Sequence, residues 1–129
     1  MTGIDVVAHQ HESAMVILEG LGVEEVDFLA IHAFPQGAKA QIDFLPEDTR
    51  AFLRAAKKAG VKVSPRRTAF LIEGPDRVGA LARILDKLGD AGINVTALDA
   101  VASRGRFGAL VWVRRDNVNR AARTLGAKR

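Results

Sequence analysis

The segment that decides the fold is Thr68–Val95, "TAFLIEGPDRVGALARILDKLGDAGINV". Its first six residues are mostly apolar and predict a strand, which the turn at Pro75 and Asp76 ends. The apolar spacing that follows predicts an amphipathic helix over 77–90. The core-facing side of that helix is predicted to consist of Val78, Leu81, Ile84, Leu85 and Leu88.

Gly79 stands in the first turn of this predicted helix, where glycine costs about 1 kcal/mol relative to alanine. Tight packing on a sheet is one explanation. The explanation we favour is that a ligand approaches the backbone there, because free first-turn N–H groups and the helix dipole bind a carboxylate or phosphate. Asp76 is the predicted N-cap of the helix.

After the helix, Gly92 allows the chain to reverse and brings Asn94 to the start of the next strand. The Asn94 amide both donates and accepts hydrogen bonds, which suits it either to a ligand or to capping a turn. We therefore expect Asn94 to reach the ligand from this strand.

The same order of elements occurs in both halves of the chain. "KAQIDFLPED" aligns with "GALVWVRRDN", and "AMVILEGLG" aligns with "LARILDKLG". Periodicity predicts a strand at Ile4–Ala8 and a helix at Glu12–Leu21. The other predicted elements are strands at Val26–Phe34, Lys39–Leu45, Asn94–Ser103 and Phe107–Arg114, and helices over 46–60 and 117–125. The predicted fold class is α+β, with two ferredoxin-like βαββαβ units at residues 1–66 and 67–129, each an antiparallel sheet with its helices on one face.

Composition limits the possible functions. The 129 residues include no cysteine, which excludes disulfides and thiolate chemistry. No apolar run is long enough to span a bilayer, and the N-terminus lacks the basic start of a signal peptide, so we expect a cytoplasmic protein. Residues 1–50 carry nine acidic side chains against two Lys or Arg, whereas residues 101–129 carry one against eight. Such halves attract each other, and we expect a homodimer.

The segment over 70–113, "FLIEGPDRVGALARILDKLGDAGINVTALDAVASRGRFGALVWV", resembles an ACT domain, a regulatory module that binds amino acids. The resemblance rests on Asp-Arg-x-Gly-x-Leu before the helix and on Ala-Gly-Ile-Asn after it. The first half is similar only in element order and hydrophobic pattern, so the whole resembles a stand-alone tandem ACT protein whose first unit is degenerate. The resemblance implies an amino-acid ligand at an interface between paired units, possible regulation of an enzyme or other protein, and no cofactor. The resemblance implies binding roles for Asp76, Gly79 and Asn94, and the full set of predicted ligand-binding residues is Asp76, Arg77, Val78, Gly79 and Asn94.

The sequence also bears on RNA binding, on dimerisation without a ligand and on catalysis or metal binding. RNA binding is an alternative because the RNA-recognition fold has the same element order, and Phe70 and Trp112 are candidate stacking residues; however, Ala109 and Leu110 stand where that fold needs aromatic side chains. A protein that only dimerises and binds no ligand is another alternative.

An enzyme or metal site would rest on the histidines and one glutamate in the first half, His9, His11, Glu12 and His32. A third metal ligand and an activated nucleophile are both missing from this pattern. We therefore predict neither catalysis nor a metal site.

Overall fold

The structure is a computed structural model, and it describes residues 5–15, 27–36, 39–65 and 67–128. The chain divides into two compact units, one made of Met1–His9 with Thr68–Arg129 and the other of Gln10–Arg67. In chain order the elements are β1 (Asp5–Met15), β2 (Phe28–Gln36), β3 (Lys39–Pro46), α1 (Thr49–Lys58), β4 (Arg67–Pro75), α2 (Ala80–Asp90), β5 (Val95–Ser103), β6 (Arg106–Val113) and α3 (Val118–Leu125).

The unit that contains Thr68–Arg129 has the strand order β1-β4-β6-β5. β6 is antiparallel to β4 on one side and to β5 on the other. Among the described strands, β5 is thus at the edge of this unit. An edge strand exposes unpaired backbone N–H and C=O groups, with which a strand of another chain can pair.

One hydrophobic core joins both helices of this unit to one face of its sheet. Alternate residues of β4 and β6 point to that face, and α2 and α3 cover them. The buried residues of this core are Phe70, Ile72, Ala80, Ile84, Leu88, Ile93, Phe107, Ala109, Val111, Val113, Ala121 and Leu125. This confirms the prediction of an antiparallel sheet with both helices on one face.

The Gln10–Arg67 unit is built around β3, which is antiparallel to β1 and to β2. Ile42 and Phe44 on β3 are fully buried, and Phe52 of α1 packs against them. The Phe44 and Phe52 ring centroids lie 4.9 Å apart. Asp48 ends the loop before α1 and accepts hydrogen bonds from two first-turn N–H groups, which fixes the start of the helix.

The observed β1 differs from the prediction. A helix was expected from Glu12, but Glu12 and the next three residues pair with β3, with Glu12 opposite Phe44 and Met15 opposite Gln41. Pairing between distant strands overrides a helical apolar spacing that is only local. The remainder of that predicted helix, 16–21, lies outside the described residues.

The grouping of the first residues also differs from the proposed boundaries of 1–66 and 67–129. Met1–His9 belongs with Thr68–Arg129, because β1 is the strand beside β4 in that unit. Without it, β4 would expose a second row of unpaired backbone groups.

Helix length bears on the question of a membrane span. α2, with 11 residues, is the longest helix in the described part of the chain. A bilayer requires about 20 apolar residues in one helix. Within the described residues, no helix combines the length and the hydrophobicity needed to cross a membrane.

Candidate functional site

Helix α2 begins later than its sequence indicated. Its N-cap is Gly79, with φ 79°, and its first helical residue is Ala80. The predicted start at Arg77 and the predicted N-cap role of Asp76 are therefore wrong. A φ of this sign crowds the Cβ atom of an L-residue, so the backbone conformation itself requires glycine. Asp76 instead donates its backbone N–H to the carbonyl of Gly105, at 2.9 Å.

The N-terminus of α2 leaves backbone donors open. The Ala80 N–H donates to the Arg77 carbonyl at 3.0 Å. In the described part of the chain, the N–H groups of Leu81 and Ala82 have no acceptor, Gly79 supplies no side-chain cap, and the first turn contains no acidic residue. The start of α1 is different, because there Asp48 accepts from the equivalent donors. α2 therefore presents two free N–H groups at the positive end of its dipole.

A pocket of about 410 Å³ lies at this helix N-terminus, within the unit that contains Thr68–Arg129. Polar groups enter it from the turn before α2, and small apolar side chains enter it from the end of β5. The lining residues are Asp76, Arg77, Gly79, Ala80, Leu81, Ala82, Ala100, Val101, Ala102 and Phe107. Apolar walls with a few polar groups on one side are typical of small-molecule sites.

The pocket contains three of the five predicted site residues. Asp76, Arg77 and Gly79 line it, whereas Val78 and Asn94 do not. Val78 is 100% exposed, so its predicted place in the core is wrong. The reason is that Val78 precedes the helix and does not follow the helical period that buries Ile84.

Asn94 is exposed and lies immediately before β5, beyond the C-terminal end of α2. The 11 residues of α2 extend about 16 Å. Six residue steps of extended strand, about 20 Å, lead from Asn94 to Ala100 at the pocket. Within one copy of the chain, Asn94 therefore does not meet the Asp76–Gly79 turn.

Sequence reasoning missed the β5 side of the pocket, which is formed by Ala100, Val101 and Ala102. The available signal was the run of small apolar residues "AVAS" in an otherwise alternating strand. Phe107, which is 8% exposed, was not among the predicted ligand-binding residues.

Phe70 and Trp112, the two candidate stacking residues, do not present an accessible surface for stacking bases. Phe70 is fully buried and Trp112 is 3% exposed. Base stacking requires an accessible ring face, so these side chains oppose the RNA-binding alternative.

The histidine-based site is not supported by the side chains that are described. His32 lies on β2 with its ring centroid 5.3 Å from that of Phe34. Among the described residues, no group of three His, Asp or Glu side chains could hold a metal ion. His9, His11 and Glu12 lie on β1, whose side chains are outside the described set.

The conformation of Gly79 gives a testable stability difference. We expect Gly79→Ala to lower the free energy of unfolding by about 1–2 kcal/mol, because alanine is strained at positive φ. Its Cβ would also lie 3.2 Å from Arg83 Nη1. The control is Gly89→Ala in the same helix, where a Cβ meets nothing within 4 Å.

At position 89 alanine is the better helix former, so stability should rise by up to about 1 kcal/mol. Urea denaturation of both variants measures the two changes. Equal effects at the two positions would show that the backbone conformation of Gly79 does not require glycine.

One known protein family matches part of the chain. Residues 68–127 match the model of the ACT domain. Among curated proteins, no sequence matches this chain.

Solved structures resemble nearly the whole chain at low identity. A protein from Bacteroides thetaiotaomicron is 17% identical with a TM-score of 0.74, covering 96% of this chain and 89% of its own. The ligand-free regulatory subunit of aspartate kinase from Thermus thermophilus is 15% identical with a TM-score of 0.62, and 97% and 95% are covered. The corresponding subunit from Thermus flavus is 14% identical with a TM-score of 0.54 and the same coverage.

These likenesses establish a ferredoxin-like ACT fold with antiparallel sheets. The pocket and its open helix N-terminus lie inside the matched segment. The chain therefore carries an ACT domain, at residues 68–127.

Proposed function

We propose that this protein is a non-enzymatic regulatory protein that binds an amino acid in the pocket beside Gly79, at an interface between the ACT units of two copies. The observation that carries the proposal is that the open donors of α2 and the pocket coincide within the ACT domain. ACT domains are regulatory modules, and the similar aspartate kinase subunits are named as regulatory.

The lining of the pocket fits a zwitterion. The free N–H groups of Leu81 and Ala82 would bind the ligand carboxylate, and the Asp76 carboxylate would bind its ammonium group. The apolar wall formed by Ala100 and Phe107 would take its side chain. Because both charged ends are recognised, acetate and phosphate should bind much more weakly than the amino acid.

Pairing of two copies along β5 would complete this site. β5 is an edge strand with exposed apolar side chains, Leu98 at 39% and Val101 at 71%. If two β5 strands pair antiparallel about a twofold axis near their centres, each strand start meets the far end of the other. Asn94 of one copy then approaches the Asp76–Gly79 turn of the other, which it does not reach within its own copy.

The Gln10–Arg67 unit is proposed to be a second, degenerate ACT unit. The order β2, β3, α1 repeats the order β5, β6, α3, which supports the proposed tandem arrangement at 1–66 and 67–129. We propose that the protein acts in the cytoplasm on an enzyme or another protein.

A second candidate function is dimerisation without a ligand, which the exposed apolar edge of β5 also supports. It differs in one observable: no amino acid would bind. The ligand experiment therefore separates the two functions.

The proposal is tested by a thermal-shift screen of the twenty amino acids, followed by calorimetric titration of the best one. We expect a ligand present at about 100 times its Kd to stabilise the protein by about 2.7 kcal/mol. Acetate and phosphate serve as anion controls. If no amino acid raises the melting temperature, the amino-acid proposal is wrong, and dimerisation without a ligand remains as the second candidate.

The location of the ligand is tested by Ala82→Asp. A carboxylate at this position caps the free N–H groups and repels the ligand carboxylate, so affinity should fall about tenfold or more. It also stabilises the helix, so unfolding would not explain the loss. The matched control is Ala82→Asn, which has the same shape without charge and should change affinity less than about threefold. Equal affinities for the two variants would show that the ligand carboxylate does not bind at the N-terminus of α2.

A further inference from the structure

The basic residues of α1 lie on a single face of the helix. Arg50, Arg54, Lys57 and Lys58 follow the spacing i, i+4, i+7 and i+8, and all four are exposed. The opposite face is buried at Phe52 and Ala56. We call these four residues the α1 basic stripe.

Among the described residues, no acidic side chain pairs with the stripe. Its residues have no ion pair and no side-chain hydrogen bond in the part of the chain that the structure describes. No acidic residue occurs between Thr49 and Lys62. In α2, by contrast, Arg83 and Lys87 alternate with Asp86 and Asp90, which is the ordinary pattern of a solvated helix surface.

Helix stability does not account for the stripe. Like charges at i, i+4, as in Arg50 with Arg54 and Arg54 with Lys58, repel each other. Arg50 lies in the first turn of α1, where the helix dipole disfavours a positive charge. The dipole favours only Lys57 and Lys58, in the last turn. Repulsion between these charges therefore destabilises the helix, and a binding role would explain why they are present.

We propose that the α1 basic stripe is a docking surface for an acidic helical segment of a partner protein. It lies in the Gln10–Arg67 unit, whereas the amino-acid pocket belongs to the unit that contains Thr68–Arg129. This inference therefore goes beyond the proposed function. A regulatory protein without its own catalytic site needs a surface that contacts its target, and charge complementarity identifies an acidic one.

The geometry favours a protein helix over other polyanions. The stripe is about 12 Å long, and Glu47 and Asp48, both exposed, lie at its N-terminal end. A phosphate backbone that continued past this end would meet those two carboxylates, whereas an acidic segment of about two helical turns, about 11 Å long, fits within the stripe. A lipid surface is disfavoured because the apolar face of α1 is already buried and cannot insert.

The test measures binding of the full chain to a fluorescent alanine-based helical peptide whose glutamates are spaced i, i+4, i+7 and i+8. The test variant is Arg54→Ala/Lys57→Ala/Lys58→Ala. The control variant, Lys87→Ala/Arg115→Ala/Arg123→Ala, removes three exposed charges elsewhere. We expect affinity to fall about tenfold or more in the test variant and less than about twofold in the control, with a smaller salt dependence in the test variant.

Several results would overturn the proposal. They are absence of peptide binding, equal losses in both variants, or tighter binding to a duplex RNA or to anionic vesicles than to the peptide. If circular dichroism shows that the alanine variant is unfolded, Arg54→Gln/Lys57→Gln/Lys58→Gln is used in its place. The amino-acid affinity should be unchanged in either stripe variant, so failure here is distinguishable from failure of the ligand site.

Discussion

Replacing Phe70 by alanine is expected to lower the free energy of unfolding by about 3–5 kcal/mol. Phe70 is fully buried in β4, in the core cluster formed with α2 and α3. The loss combines the removal of its ring from an apolar environment with the cavity that remains. Since domains of this size are stable by about 5–15 kcal/mol, much of the total stability would be lost.

Urea denaturation followed by circular dichroism measures this change, with an unchanged m-value as evidence that the transition remains comparable. The matched control is Leu29→Ala on β2, where the side chain is 39% exposed. We expect the control to lose less than about 1.5 kcal/mol, because part of the leucine already contacts solvent. A loss below about 1.5 kcal/mol for Phe70→Ala would contradict the described core.

If two copies pair along β5 as proposed, replacing Val101 by lysine is expected to raise the dissociation constant of that dimer about 100-fold or more. Val101 is 71% exposed on the edge strand β5, so the monomer loses little packing. In a twofold dimer the change occurs twice, and each lysine brings an unpaired charge to a backbone-paired edge. A 100-fold change corresponds to about 2.7 kcal/mol.

Sedimentation velocity over a concentration series measures the dissociation constant of this dimer. The control is Ile31→Lys, which changes a 48%-exposed residue of β2, the described edge strand of the other unit. We expect the control to remain dimeric. Dissociation of Ile31→Lys but not of Val101→Lys would move the interface to β2 and would remove the proposed role of Asn94 from the partner copy.

The local sequence was sufficient for the elements whose stabilising contacts are close along the chain. The apolar period of α2 placed Ile84 and Leu88 in the core, and both are buried. Gly126, which directly follows the helix predicted over 117–125, has a left-handed φ of 64°, as is common for a glycine at a helix C-terminus. These features follow from a repeat of three to four residues, which a single segment already contains.

Tertiary structure decided what depends on contacts between distant segments. β1 extends through Met15 because β3 pairs with it, and no local period reports that pairing. The sequence identified Gly79 as special, but its left-handed backbone and the late start of α2 come from the turn that ties Asp76 to Gly105. The distance between Asn94 and the pocket is set by the length of α2 and the direction of β5, so only the folded chain shows that Asn94 does not reach the Asp76–Gly79 turn of its own copy.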